Sequence, residues 1–263
     1  MNSLFSLESR VALVTGGSRG IGRMIAEGFL RHGAAKVYIS ARKAEACDRT
    51  AAELSSLGPC VSLPADLSTV AGAQALAAAF GAREPRLHIL VNNAGAAWGA
   101  AFDEFPESGW DKVMDLNVKS LFFLTKALAK PLRAAASHAR PAKVINIASI
   151  DGIFVNPGET YSYAASKAAV IHLTRRMATK LIKDNINVTA IAPGAFASDM
   201  NRAARDQSDE LAKRIPSRRI GTEEDMAGIA IYLASRAGDY VVGNTIAVDG
   251  GVVYANAGLE ISG

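Results

Sequence analysis

Cysteine is scarce: Cys47 and Cys60 are the two in 263 residues, too few for the disulfide staples of a small secreted domain and too few for a cysteine zinc cluster. The four histidines, His32, His88, His138 and His172, are scattered without ligand spacing, so no metal site is expected. No apolar run approaches the roughly 20 residues that a membrane-spanning helix needs. The start, MNSLFSLESR, lacks a basic stretch, an apolar stretch and a small-residue cleavage site in that order, so no secretory leader is expected and a reducing, cytoplasmic setting is the default. The net charge of +4 is spread over the whole length and builds no basic stripe, so nucleic-acid binding is not expected. Linkers, internal repeats and low-complexity tracts are also missing.

The chain is 49% hydrophobic, enough for a full core, and its length suits one α/β domain over residues 1–263. Short apolar runs at 11–16, 36–41, 60–66, 88–94, 143–149, 187–193 and 244–250 alternate with helix-period stretches. Several runs are apolar at consecutive positions, as a strand covered by helices on both faces must be. The pattern predicts a doubly wound parallel sheet of about seven strands. Gly33 and Gly58 close two helical stretches where a left-handed C-cap is expected. The irregular stretch after Pro193, rich in Arg, Asp and Ala, is long enough for a substrate lid at about 194–222, and residues 256–263 read as a tail.

Thr15-Gly16-Gly17-Ser18-Arg19-Gly20-Ile21-Gly22 joins the first strand to an apolar-periodic helix. In that context glycines let backbone N–H groups and a helix N-terminus approach a pyrophosphate, although they serve a tight turn equally well. The second strand ends in Ser40-Ala41-Arg42-Lys43, with no acidic residue to hold the ribose hydroxyls of NAD. Arg42 and Arg19 would each read alone as a surface charge; together they suit a 2′-phosphate and favour NADP. Asp66, followed by Leu67, can accept from an adenine amine or cap the next helix. Asn92-Asn93-Ala94-Gly95 ends the fourth strand, where small residues let a cofactor lie against the backbone and the amides tie neighbouring strands.

Ser149 stands at the end of KVINIAS, and Tyr163-Ala164-Ala165-Ser166-Lys167 opens a helix on which Tyr163 and Lys167 share a face. A phenol near pKa 10 handles protons poorly at neutral pH unless a nearby cation stabilises its phenolate, and Lys167 with a positive nicotinamide could supply that field. Ser149 is placed to donate a hydrogen bond to a substrate oxygen.

These residues make the chain similar to the short-chain dehydrogenase/reductase family over about 8–252. Thr15, Gly16, Gly20 and Gly22 match the family's glycine pattern, Asn92 to Gly95 its sheet motif, and Asn117, Ser149, Tyr163 and Lys167 its catalytic tetrad. The resemblance implies a single-domain Rossmann fold, a homotetramer, and a water held by Asn117 that extends a proton relay from Lys167. Without it, an asparagine there reads as a helix kink or a buried polar contact. Pro193-Gly194 matches the family's segment after the sixth strand, and Ser198 keeps a hydroxyl where a threonine is usual, so carboxamide binding is implied. Asp249-Gly250-Gly251 reads as structural. The cofactor set is then Gly16, Ser18, Arg19, Gly20, Ile21, Gly22, Arg42, Asp66, Leu67, Asn93, Ala94, Gly95, Tyr163, Lys167, Pro193, Gly194 and Ser198.

Within the family, the runs at 41–47 and 93–100 look most like 3-oxoacyl reductases linked to rhamnolipid synthesis. The expected activity is NADPH-dependent reduction of a ketone, a 3-oxoacyl thioester or another medium-sized apolar ketone, to a secondary alcohol. The alternatives are a non-catalytic NADP-binding regulator and a reductase of bulky polycyclic or polyketide ketones. Ala96, Ala97, Trp98, Ile150, Phe154, Val155, Ala195 and Phe196 are the expected apolar border of the carbonyl. Trp110 is expected to pack a helix, and the helices at 110–132 and 164–182 read as interface helices, apolar on more than one face. The lid's Arg202, Arg205, Lys213, Arg214, Arg218 and Arg219, set among Asp199, Asp206, Asp209 and Glu210, read as a solvated mixed-charge loop.

Overall fold

A computed structural model of the chain describes residues 4–198 and 201–255, apart from the side chains of Arg202 and Ala203; Asp199 and the tail at 256–263 lie outside the described residues. Strands β1 (Val11–Thr15), β2 (Lys36–Ser40), β3 (Cys60–Ser62), β4 (Ile89–Asn92), β5 (Ala142–Ile147), β6 (Ile186–Pro193) and β7 (Thr245–Val248) form one sheet in the order β3-β2-β1-β4-β5-β6-β7. Every pairing is parallel. The order reverses between β1 and β4, which opens a crevice at their C-terminal ends.

Alternate residues of the buried strands feed two cores. From β1, Ala12 and Val14 join the layer of α1 (Gly20–Arg31), α2 (Ala44–Leu54) and α10 (Glu223–Ala234), with Ile25, Phe29 and Met226. Leu13 joins the other layer, with Leu76 and Phe80 of α3 (Val70–Gly81), Leu124 of α5 (Ser120–Ala127) and Val170 of α7 (Tyr161–Leu181). The edge strand β3 keeps bonding beyond Ser62: Leu63 N–H donates to Ile39 O at 2.8 Å and Ala65 N–H to Ala41 O at 3.1 Å. Pro64, between them, sits where the ladder needs no donor.

Gly33 follows α1 with φ +82°, as expected of a C-cap glycine. Gly58 does not play that part, because α2 ends at Leu54 and a turn intervenes. The stretch expected as one interface helix at 110–132 is broken into α4 (Glu107–Met114), a π turn (Asp115–Lys119), α5 and α6 (Ala129–Ala135), and Trp110 is 42% exposed rather than packed. The lid stretch is more ordered than its composition suggested: it carries α8 (Arg202–Asp206) and α9 (Ser208–Ala212). Its base is pinned where Phe196 bridges Gly221, with Gly221 N–H donating to Ala195 O at 2.8 Å.

Candidate active site

The glycine loop leaves β1 through Thr15, whose hydroxyl donates to Val91 O at 3.2 Å and accepts from Asn93 N and Ala94 N at 2.9 and 3.0 Å. Gly16 and Gly20 have φ of +64° and +51°, and a Cβ on Gly22 would lie 2.3 Å from Gly16 O. The loop is anchored by Gly17 N–H to Ser40 O (3.1 Å) and by the Thr50 hydroxyl to Ser18 O (3.0 Å). Arg19 is the N-cap of α1 without a side-chain cap bond, and no acidic residue stands in the first turn, so the positive end of the helix dipole is left for a ligand at the crevice. Ile21 packs against the adjacent core. This cradle, closed to any side chain at Gly22, fits a dinucleotide pyrophosphate.

Arg19 is exposed on this loop and Arg42 is exposed at the end of β2. The Asp66 carboxyl lies below its ordinary value because Ser68 N–H hydrogen-bonds to it (3.0 Å), with a smaller contribution from the Arg42 guanidinium nearby. Asp66 is not the cap of α3: Thr69 is, accepting from Gly72 N at 3.1 Å. The exposed Asp66 carboxylate and Arg42 thus border one end of the crevice, with Leu67 buried beside them.

At the end of β4 the two asparagine amides tie strands together. Asn93 donates to Thr15 O and Gly16 O at 2.9 and 3.3 Å. Asn92 donates to Asn146 Oδ1 on β5 (2.9 Å) and to the Thr125 hydroxyl (3.0 Å), and Asn146 passes the chain on to Thr174 (2.9 Å). These bonds use both amide hydrogens of Asn92, whose Oδ1 has no partner among the described residues, and the ladder fixes the crevice floor. Ala94 and Gly95 follow; a Cβ on Gly95 would come within 3.1 Å of Asn117 Oδ1.

Ser149, Tyr163 and Lys167 converge at the C-terminal end of β5. Ser149 is 7% exposed and lies near enough to the Tyr163 phenol to hold its pKa down. Lys167, 6% exposed, lies with Nζ 5.5 Å from the Tyr163 ring centre and donates to Ile147 O at 2.8 Å. Burial pushes the phenol up to about 12, opposed by the Ser149 hydroxyl and assisted by the Asp151 carboxylate. Burial holds the Lys167 amine down to about 8, with Asp151 acting the other way. The lysine is therefore placed beneath the phenol as expected, but it is not among the groups that set the phenol's value here.

Asn117 lies in the π turn, 2% exposed. Its Oδ1 accepts from Ala96 N at 2.8 Å, and its Nδ2 donates to Ala96 O and the Ser166 hydroxyl at 2.9 Å each. The side chain is thus a clamp between the β4 loop and α7, and its amide has no donor left for a water. Ser166, which the sequence reading passed over, donates to Tyr163 O at 2.7 Å and completes the link; the one signal was its place three residues after the tyrosine.

Pro193 ends β6, Gly194 N–H donates to Val248 O at 2.9 Å, and Ser198 sits over the glycine loop, 3.3 Å from where a Gly20 Cβ would stand. Of the expected apolar border, Phe196 is absent from the site: it is 2% exposed, buried in the core against Gly221. Val155 is 93% exposed, and Trp98 packs on Gly109 with Lys112 Nζ 5.0 Å from its ring centre. Phe196, Ile215, Ser217, Arg219 and Asp225 line a cleft that does not include Ser149, Tyr163 or Lys167 among its lining residues. The lid's charges pair locally, Arg205 with Asp206 at 2.7 Å and Lys213 with Glu210 at 2.6 Å.

A protein-family profile described as "Enoyl-(Acyl carrier protein) reductase" matches residues 16–253. The "Rhamnolipids biosynthesis 3-oxoacyl-[acyl-carrier-protein] reductase" of Pseudomonas aeruginosa is 51% identical over 254 residues, 95% of this chain and 99% of that protein. The "2-dehydro-3-deoxy-D-gluconate 5-dehydrogenase" of Dickeya dadantii is 41% identical over 94% of this chain and 96% of its own length. Among solved structures, the "Pseudomonas aeruginosa RhlG/NADP active-site complex" superposes with a TM-score of 0.92 at 51% identity, covering 96% of this chain and 99% of that one.

Proposed function

The chain belongs to the short-chain dehydrogenase/reductase family, and from that membership we propose that it is an NADPH-dependent oxidoreductase reducing the ketone of a 3-oxoacyl thioester to a secondary alcohol. The observation that carries the chemistry is the meeting of Ser149, Tyr163 and Lys167 beside the glycine cradle. NADPH, when bound, supplies the hydride. Gly16, Ser18, Arg19, Gly20, Ile21 and Gly22 would hold its pyrophosphate, Arg19 and Arg42 its 2′-phosphate, Asp66 and Leu67 its adenine, Asn93, Ala94 and Gly95 its ribose side, and Pro193, Gly194 and Ser198 its carboxamide. Tyr163 keeps its proton at neutral pH and delivers it to the carbonyl oxygen, which Ser149 orients by hydrogen bonding. Lys167 presents its amine beneath the phenol, and Asn117 holds the Ala96 loop and Ser166 so that the wall of the site does not move.

The thioester is favoured by the relative of highest identity named above and by the apolar residues expected to border the carbonyl, Ala96, Ala97, Trp98, Ile150 and Phe154, which would offer few partners to a polyhydroxylated substrate. The described part of 194–222, pinned at its base by the Phe196–Gly221 bridge, is the cover of the single domain in this reading. The exposed Trp110 and Phe122 support a homotetramer, which light scattering would read as four times the 27.5 kDa chain mass. The absence of a disulfide between Cys47 and Cys60 suits a cytoplasmic setting.

The test is an NADPH oxidation screen of 3-oxoacyl thioesters, bulky polycyclic ketones and polyhydroxylated keto acids, with Tyr163→Phe as control. Turnover of the thioesters, abolished in Tyr163→Phe with NADPH binding kept, is the expected result. Exclusive turnover of the keto acids would overturn the substrate, and an active Tyr163→Phe would overturn the mechanism.

A further inference from the structure

Tyr163 is the third residue of α7, in a first turn that lacks the usual fastenings of a helix start. Thr160 stands at the N-cap without a side-chain cap bond, no acidic residue follows in that turn, and the Ser162 hydroxyl is buried without a partner among the described residues. The uncapped N–H groups leave such a turn prone to fray, and fraying here would carry the phenol with it. On the outer side Tyr161 meets Phe102 and Phe105 edge-on, with ring centres 5.6 Å apart in each pair, but Phe102 and Tyr161 are themselves exposed.

From the inside the turn is fastened by Ser166. Its side chain is 0% exposed, and its hydroxyl donates to Tyr163 O at 2.7 Å while accepting from Asn117 Nδ2 at 2.9 Å. Asn117 in turn holds both backbone groups of Ala96, at 2.8 and 2.9 Å. The backbone of the proton donor is thus joined, through one hydroxyl, to the clamp on the wall of the site. Lys167 does not depend on that hydroxyl: its ammonium donates to Ile147 O at 2.8 Å, and Gly152 is pressed against its backbone, where a Cβ would lie 2.6 Å from the Lys167 carbonyl carbon. Further along α7 the same device recurs without a reacting group attached, since the Thr174 hydroxyl accepts from Asn146 Nδ2 at 2.9 Å and donates to Val170 O at 2.8 Å.

We propose that Ser166 is a positioning residue of the reduction: its hydroxyl, held by Asn117, takes the place of a helix cap and fixes the Tyr163 backbone, and with it the reach of the phenol to the substrate carbonyl. The role rests on the reading of Tyr163 as the proton donor. A donor must stand within hydrogen-bond reach of the oxygen it protonates, and a displacement of about 1 Å costs on the order of 100-fold in rate. Ser166 touches neither the glycine cradle nor Lys167 Nζ, so its loss acts on proton delivery and not on cofactor binding.

The experiment follows NADPH-dependent reduction of an acetoacetyl thioester by the wild-type protein, Ser166→Ala, Ser166→Cys and Ser166→Thr. In Ser166→Ala kcat is expected to fall about tenfold or more, with NADPH affinity and the KM for the thioester unchanged, and the solvent deuterium isotope effect on kcat is expected to rise because the displaced group is the proton donor. Amide hydrogen exchange over residues 161–165 should quicken while the rest of α7 keeps its protection. Threonine keeps a hydroxyl able to bond the same carbonyl and should restore most of kcat, and cysteine, a weak donor, should lie between and replaces the alanine variant if that one does not fold. Thr174→Ala removes the equivalent pair of bonds from the same helix and should lower Tm without raising the isotope effect. A Ser166→Ala protein with wild-type kcat and isotope effect, or one whose losses Thr174→Ala reproduces, would overturn the positioning role and leave the reductase reading intact. A wild-type protein that reduces no ketone would instead overturn the reading of Tyr163, and the role with it.

Discussion

Asn117→Ala removes three buried hydrogen bonds in one substitution, those to Ala96 N, Ala96 O and the Ser166 hydroxyl at 2.8 to 2.9 Å. At 2% exposure the position gives water little access to replace them. The Ser166 hydroxyl keeps its own donation to Tyr163 O, so its loss is small. The two Ala96 backbone groups are left without partners, at about 1–3 kcal/mol each, so the variant should be less stable by roughly 2–5 kcal/mol. For a chain of this size that corresponds to a fall in Tm of roughly 5–15 °C. Asn117→Asp should be at least as harmful at pH 7, since a carboxylate still accepts from Ala96 N but faces Ala96 O and Ser166 with a lone pair where Nδ2 had donated. That carboxyl would have a raised pKa in the folded protein, so the deficit should shrink as pH falls and the acid regains a proton to donate. Thermal and urea unfolding of both variants measures this, with NADPH oxidation read well below the lower Tm. A clamp loses stability and turnover together. An alanine variant within about 2 °C of wild type that has lost only turnover would refute the clamp and return the side chain to the role of holding a relay water.

The strands were legible because burial on both faces leaves a mark no helix imitates at that length: consecutive apolar residues such as Ala12, Leu13 and Val14, which point alternately into two cores. The glycine loop and the Tyr163–Lys167 pair were legible for a similar reason, since their spacing along one chain segment already fixes their geometry. What the sequence hid depends on partners distant in the chain. The π turn at Asn117 is held by Ala96 and Ser166, 21 and 49 residues away, and an asparagine among apolar residues does not announce either. Phe196 reads as a pocket residue because it follows Pro193-Gly194 near the site, yet Gly221 leaves a slot in which a Cβ would lie 2.4 Å from its ring, and the ring fills it. Gly58 misled because a local rule was outcompeted by another: Ser55 and Ser56 hydroxyls donate to Ala51 O (2.7 Å) and Glu53 O (2.9 Å), taking up carbonyls of the last turn before any glycine is needed.

Arg42→Ala should lower the preference for NADPH over NADH, read as the ratio of kcat/KM values, by a factor of ten or more, because a charge-assisted hydrogen bond to a phosphate is worth about 1.5–3 kcal/mol. Equal efficiency with both cofactors in the wild-type protein would sink the assignment of Arg19 and Arg42. Stability should also carry the signature of a histidine held neutral. His88 Nδ1 accepts from Val11 N at 3.0 Å, and burial, with Arg10, Arg140 and Arg86 nearby, holds the imidazole down to about 4. Its folded pKa lies below the unfolded value of about 6.5, so as pH falls the unfolded chain takes up the proton first. The contribution is intact above pH 6.5 and is lost progressively down to about pH 4, by at most about 3 kcal/mol. Carboxylates add their own slope in this window, so the informative quantity is the difference from His88→Gln, whose amide oxygen can still accept from Val11 but does not titrate. Unfolding curves from pH 7 to 4 should fall less steeply for the glutamine variant; equal slopes would mean that His88 takes up its proton in the folded state as readily as in the unfolded one, and that the bond from Val11 does not hold it neutral.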